Sequence, residues 1–189
     1  MTEQSAGGFT RRGLLGAFAA TLVTAAPTYA NAAGFLRGSG DIRRLKMYSG
    51  RTGEKIDMIY WIEGEYIPEA LKEINHFMRD WRTDDVKNID ARTIDIMTAA
   101  HNLTGSSEPY MLISGYRSPK TNAMLRARSS GVAKKSRHLL GEAADLHMNS
   151  RSVNQLAKAA SACRAGGVGR YTSSSFVHMD CGPVRSWGS

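Results

Sequence analysis

In Ser136-Arg137-His138-Leu139-Leu140-Gly141-Glu142-Ala143-Ala144-Asp145-Leu146-His147 a turn-like segment passes at Gly141 into an alternating run. Glu142 to His147 has the period of a strand, which points Asp145 and His147 to one face. Downstream, Phe176-Val177-His178-Met179-Asp180 repeats that period, with His178 and Asp180 on a common face. His138 and Asp145 stand seven residues apart, too far for one helical turn but natural for a loop residue and a strand residue that meet at one point. Two imidazoles and a carboxylate are the protein ligands that a catalytic zinc ion takes while its fourth position stays open for water. The stretch therefore predicts a sheet-based metallohydrolase with His138, Asp145 and His178 on one Zn2+ ion.

Immediately upstream, Tyr110-Met111-Leu112-Ile113 predicts a buried strand that stops at Ser114-Gly115-Tyr116-Arg117-Ser118-Pro119. An Arg just beyond a strand's terminal Gly sets a guanidinium at the sheet's end, where it can hold a carboxylate or a developing oxyanion. Taken alone, Arg117 would be an arginine in a surface turn. Thr121 to Arg128 predicts a short helix, and 129–135 a loop into the metal motif. Downstream, Val153 to Arg164 predicts an amphipathic helix with Leu156, Ala159, Ala160 and Cys163 inward. Gly166-Gly167-Val168-Gly169-Arg170-Tyr171 reads as a strand or bend that permits close backbone approach. It is no phosphate loop, since it lacks the Lys-Ser/Thr ending and the following helix. Ser175 to Asp180 closes the series as the last strand.

Further out, Arg43 to Ser49 and Lys55 to Ile62 predict two strands joined by Gly50-Arg51-Thr52-Gly53, an edge of the main sheet or a lid. Pro68 opens a helix carried by Leu71, Ile74, Phe77 and Met78. A second helix runs from about Ile89 through Ile94, Met97 and His101 to a Leu103-Thr104-Gly105 stop. His76 and His101 have no carboxylate or second histidine at a ligand-like spacing and read as packing or solvated residues. The sum is an α+β fold, a mostly antiparallel sheet with helices packed on one side.

The chain has 189 residues and a net charge of +8, and beyond residue 40 its longest basic runs are only the pairs Arg43-Arg44 and Lys134-Lys135. No nucleic-acid motif accompanies that charge, so a polyanionic surface such as a cell wall or anionic lipid suits it as well, and no nucleic-acid partner is expected. Thr10-Arg11-Arg12-Gly13-Leu14-Leu15 is a twin-arginine pair that leads into an apolar run, Leu14 to Ala26. At about thirteen residues that run is too short to span a bilayer and right for a signal-peptide core, with cleavage after Ala30 or Ala32. The expected organisation is a twin-arginine-type leader at 1–32, a flexible entry segment at 33–42 and a zinc peptidase domain at 43–189. The expected place is the periplasm, with no stable membrane anchor after cleavage. Export makes Cys163 and Cys181 candidates for a disulfide. Alternatively Cys181, three residues past His178, lies near the metal.

Three of these motifs together, Ser114-Gly115-Tyr116-Arg117-Ser118, Ser136-x-His138-x-x-Gly141-x-Ala143-x-Asp145 and Phe176-Val177-His178-Met179-Asp180, resemble the zinc D-Ala-D-Ala carboxypeptidase superfamily, whose fold is shared with hedgehog signalling domains. With Gly131-Val132-Ala133-Lys134-Lys135-Ser136, Arg164-Ala165-Gly166-Gly167-Val168-Gly169 and Arg185-Ser186-Trp187, the chain most resembles that superfamily's periplasmic murein endopeptidase K branch. The resemblance implies that His138, Asp145 and His178 bind zinc and that Arg117 holds substrate or the oxyanion. It implies peptidoglycan stem peptides as substrate, foremost the 3-3 cross-link between two diaminopimelate residues. The sister carboxypeptidases place a Glu or Asp base three residues before the last histidine ligand, where this chain has Ser175. Asp180 is then the expected base, with Glu142 behind it; Asp180 could instead orient His178. His147 and Ser136 are expected around the ligands without touching the ion. A rival reading, favoured by Ser175, is a non-catalytic zinc-containing module of the same fold that binds murein or a protein.

Overall fold

Apolar residues at every second position build the first strand: β1 (Ile42–Ser49) buries Leu45 and Met47 on one face and turns Arg44 and Lys46 outward. The computed structural model describes residues 42–188. The expected leader at 1–32 and the entry segment up to residue 41 lie outside the described residues, and Ile42 is already part of β1. β2 (Lys55–Ile62) returns antiparallel to β1, and β3 (Glu65–Tyr66) extends it. The hairpin is an integral edge of the main sheet. A buried ion pair fastens it: Arg43 Nη1 donates to Asp95 Oδ1 at 2.9 Å, and the Tyr60 and Tyr66 hydroxyls donate to the same carboxylate at 3.0 and 2.7 Å.

The helices start and stop where capping chemistry directs. α1 (Pro68–Phe77) carries Pro in its first turn, and α2 (Ala91–Thr104) is capped by Asp90, which accepts from Arg92 N, and closed by Gly105 in the left-handed region. β4 (Tyr110–Ser114) follows, then α3 (Pro119–Arg128), capped by Ser118. After a loop comes a 3-10 turn, Arg137–Leu140, that leads into β5 (Ala143–His147). α4 (Val153–Ala162) opens on a reciprocal Ser152–Gln155 capping box, and β6 (Gly167–Tyr171), β7 (Phe176–Asp180) and β8 (Arg185–Gly188) complete the chain.

The eight strands form one sheet in the order β3-β2-β1-β4-β5-β7-β6-β8. Five of the seven pairings are antiparallel, and the β1–β4 and β6–β8 pairings are parallel. The fold is thus the expected α+β class. In the middle of the sheet, Ala144 and Leu146 of β5 and Val177 and Met179 of β7 join the core with Ile96, Met97 and Ala100 of α2 and Leu156 and Ala160 of α4. Alternation then sends Asp145, His178 and Asp180 to the opposite face, away from that core. Asp145 and His178 are register partners across β5 and β7.

Among the described residues no helix is long and apolar enough to cross a membrane. Cys163 and Cys181, candidates for a disulfide, are both free and buried. The Cys163 thiol points back along α4 to the Ala159 carbonyl, 3.5 Å away, and Cys181 sits against Asp90, Arg92 and Thr93 at the start of α2. Burial pushes both thiols up to about 11, so each is a protonated packing group.

Candidate metal centre

Each member of the predicted triad is delivered by a separate element. The 3-10 turn carries His138, and the turn ends at Gly141, whose φ of +75° is open to glycine at little cost. A side chain there would also put its Cβ 2.3 Å from the Asn88 carbonyl oxygen. His138 Nδ1 donates to the carbonyl of Gly115, at 2.7 Å, where the chain leaves β4. That bond fixes the tautomer and leaves the Nε2 lone pair facing the cleft side of the sheet.

His138 Nε2 lies 3.2 Å from Asp145 Oδ1 and 3.2 Å from His178 Nδ1, and His178 Nδ1 lies 2.9 Å from Asp145 Oδ1. A tetrahedral ion with bonds of about 2.0–2.1 Å separates its ligand atoms by about 3.3 Å. The three atoms therefore form the near-equilateral base that such an ion requires, with the His138 and Asp145 side chains buried and that of His178 nearly so. The donor set, two imidazoles and one carboxylate oxygen, also fits zinc. His138, Asp145 and His178 are the group of three or more such side chains that can converge on one cation among the described residues.

The electrostatics of the triad are those of a cation site. Burial lowers the His138 pKa below its ordinary value despite the neighbouring Asp145, which keeps the imidazole neutral. Burial would raise Asp145, but His138 and His178 outweigh it and hold the carboxyl well below the usual range. For His178 burial acts downward, yet hydrogen bonds to Asp145 and Asp180 raise it to about 9. Two carboxylates thus hold one positive charge at His178 in the protein alone.

Asp180 stands behind this triangle. Its Oδ2 accepts from His178 Nε2 at 3.0 Å, the ring nitrogen opposite the one that faces His138. It is fully buried and also accepts from Gly182 N at 2.8 Å, Gly167 N at 3.2 Å and both terminal nitrogens of Arg185 at 3.1 and 2.6 Å. Burial alone would raise its pKa; the His178 and Arg185 hydrogen bonds lower it far below the usual carboxylate range. The His178 imidazole therefore lies between Asp180 and the point on which the three donor atoms converge.

Arg117 reaches the triad from the other side, with Nη2 donating to Asp145 Oδ2 and Nε donating to Ser114 Oγ at 2.9 Å. It lines a cleft of about 740 Å3 together with Ser136, His138, Asp145, Tyr171, Phe176, His178 and Trp187. Asp145 and Asp180 are the carboxylates in that lining. Glu142 is turned instead to Arg137 Nη1. His147, on the strand face of Asp145, bonds the Ser175 carbonyl at 2.6 Å and Asn149 Oδ1 at 3.2 Å, and no bond joins it to the triad. Ser175, with φ of +56°, serves as a turn residue before β7. His101 packs edge-on against Tyr110 and bonds the Glu108 carbonyl. Cys181 stays outside the group.

Residues 37–187 match the profile of the family described as Peptidoglycan L,D-endopeptidase MepK. The chain belongs to that family. The MepK relatives include Peptidoglycan L,D-endopeptidase MepK of Escherichia coli (strain K12) and its counterpart in Shigella flexneri, each 46% identical over 145 residues, 77% of this chain and 80% of theirs. Probable peptidoglycan L,D-endopeptidase MepK of Haemophilus influenzae is 37% identical over 146 residues, 77% of this chain and 78% of its own. The MepK match spans the triad, Arg117 and the whole cleft lining.

Three contacts at the MepK-type centre had no reading from sequence. They are the Gly115 carbonyl on His138, the Arg185 guanidinium on Asp180 and the Trp187 indole beside His178 at a centroid distance of 5.3 Å. The signal present for the last two was the run Arg185-Ser186-Trp187, whose alternation puts both side chains on one face.

Proposed function

We propose that this protein is a zinc-dependent peptidoglycan endopeptidase of the periplasm that hydrolyses stem-peptide cross-links, foremost diaminopimelate–diaminopimelate (3-3) bonds. The observation that carries the proposal is the triangle of His138 Nε2, Asp145 Oδ1 and His178 Nδ1, with edges of 2.9 to 3.2 Å beside an open cleft. MepK relatives support the peptidoglycan substrate, since their names state a peptidoglycan L,D-endopeptidase. The Arg11-Arg12 pair and the apolar run behind it support the reading of a leader and of export by the twin-arginine route.

In this reading His138, Asp145 and His178 hold one zinc ion, and Gly115 and Asp180 fix the two imidazoles. When bound, zinc supplies Lewis acidity, bringing the pKa of a water toward neutrality and polarising a peptide carbonyl. Arg117, already at Asp145, stabilises the negative charge that develops on the carbonyl oxygen, a role worth on the order of 3 kcal/mol. Hydrolysis then adds water across the amide, leaving a carboxylate on one stem and an amine on the other. With Asp180 behind His178 and Ser175 in the turn, no separate carboxylate base is assigned.

That same lack of a third cleft carboxylate favours the second reading, a zinc-containing module that binds murein or a protein without cleaving it. Incubation of purified protein with isolated sacculi, with and without a chelator, separates the two. Chelator-sensitive release of uncross-linked muropeptides is expected for wild type and absent for His138→Ala. Identical products from the two proteins defeat the enzyme reading.

A further inference from the structure

The glycines of β6, Gly167 and Gly169, and the Arg185-Ser186-Trp187 run of β8 explain each other. β8 is a parallel edge strand held by β6, and its two inward side chains occupy space that glycines leave open. A Cβ on Gly167 would lie 2.4 Å from Arg185 Nη1 and 2.5 Å from Asp180 Oδ2. A Cβ on Gly169 would lie 2.6 Å from the Trp187 ring. The absent side chains therefore make room for one ion pair and one indole.

Both of those groups act on His178. Arg185 grips the Asp180 carboxylate with two nitrogens, at 3.1 and 2.6 Å, and Asp180 in turn accepts from His178 Nε2 at 3.0 Å. A planar guanidinium on both oxygens fixes the carboxylate plane as well as its charge. Trp187 is itself anchored, with Nε1 donating to the Tyr171 hydroxyl at 2.9 Å and the Arg185 guanidinium 4.7 Å from its ring. Its ring inclines at 53° to the His178 imidazole. Neither Arg185 nor Trp187 is a member of the triad.

We infer that β8 is the support strand of the metal centre: Arg185, acting through Asp180, and Trp187, by direct packing, hold His178 in its ligand orientation. The inference rests on the metal site proposed above. Arg185 and Trp187 are positioning residues, and the cost of losing them falls first on metal affinity. Outer hydrogen-bond partners of metal-bound histidines are typically worth about 10- to 100-fold in affinity.

The test is zinc affinity, measured by competition with a chromophoric chelator on wild type, Arg185→Ala, Asp180→Asn and the double variant, with circular dichroism to confirm folding. Arg185→Ala is expected to bind zinc about tenfold more weakly. Because Arg185 acts through Asp180, the double variant should bind no more weakly than Asp180→Asn alone, whereas a merely structural role would give losses that multiply. Arg185→Lys should recover part of the loss. Gly167→Ala, whose Cβ crowds both the guanidinium and Asp180 Oδ2, should reproduce the loss, and if Arg185→Ala does not fold, Arg185→Lys decides: wild-type zinc affinity in Arg185→Lys together with Arg185→Gln overturns the role of Arg185. Wild-type affinity in Arg185→Ala, or multiplicative losses in the double variant, overturns the role of β8 and leaves the metal site standing. Failure of wild type to take up zinc overturns the metal site itself and this inference with it.

Discussion

Asp180 accepts a hydrogen bond from His178 Nε2 at 3.0 Å, on the side of the ring away from His138. From there, on the reading proposed above, it holds the orientation of the imidazole. Asp180→Asn is therefore expected to weaken zinc binding by about 10- to 100-fold and to regain most of its turnover when zinc is raised to saturation. Turnover that stays lost at full zinc occupancy would return the proton-accepting role to Asp180.

On the proposed metal site, zinc would displace a proton from His178, whose pKa is raised to about 9 because the bonds to Asp145 and Asp180 outweigh burial. At pH 7 zinc binding should release close to one proton from this group, and affinity should climb until about pH 9. Calorimetry in buffers of different ionisation enthalpy measures that release. The sign for the metal-free protein follows from a folded pKa above the ordinary 6.5: the protonated group contributes stability that is complete below about pH 6.5 and lost as pH rises through about 9. Melting curves taken in chelator across that window should fall accordingly.

Arg117 touches Asp145 through its outer oxygen, Oδ2, and leaves Oδ1 to the triangle. Arg117→Ala should keep one zinc per chain by elemental analysis while kcat drops about 100- to 1,000-fold. Loss of the metal instead of turnover would make Arg117 a support of Asp145 and nothing more.

Cys163 and Cys181 are buried thiols raised to about 11, with no bond between them. A reductant should leave the melting temperature unchanged, and a thiol reagent should modify both only after unfolding. A reductant-dependent melting temperature would restore the disulfide.

The strands and the triad were legible because their signals are local. Alternation placed Asp145 with His147 on one face of its strand and His178 with Asp180 on one face of theirs, and the glycine and proline punctuation placed most helix limits within two or three residues. The same alternation put Asp180 on the face of His178 but could not say which ring nitrogen it meets, since that depends on the ring's rotation. The 3-10 turn escaped because four residues carry no period, and β8 because its pairing is parallel and its partners lie in β6. The free cysteines escaped because compartment chemistry says nothing of where side chains point.

Asp145 and His178 face each other across two neighbouring strands, and His138 comes from a turn locked to a third. A slip of one residue between β5 and β7 would rotate one of that pair into the hydrophobic layer and leave the cation with too few donors. An ion that prefers the correct alignment lowers its free energy and no other. A cation taken up at this site would then favour the aligned strands over the slipped ones.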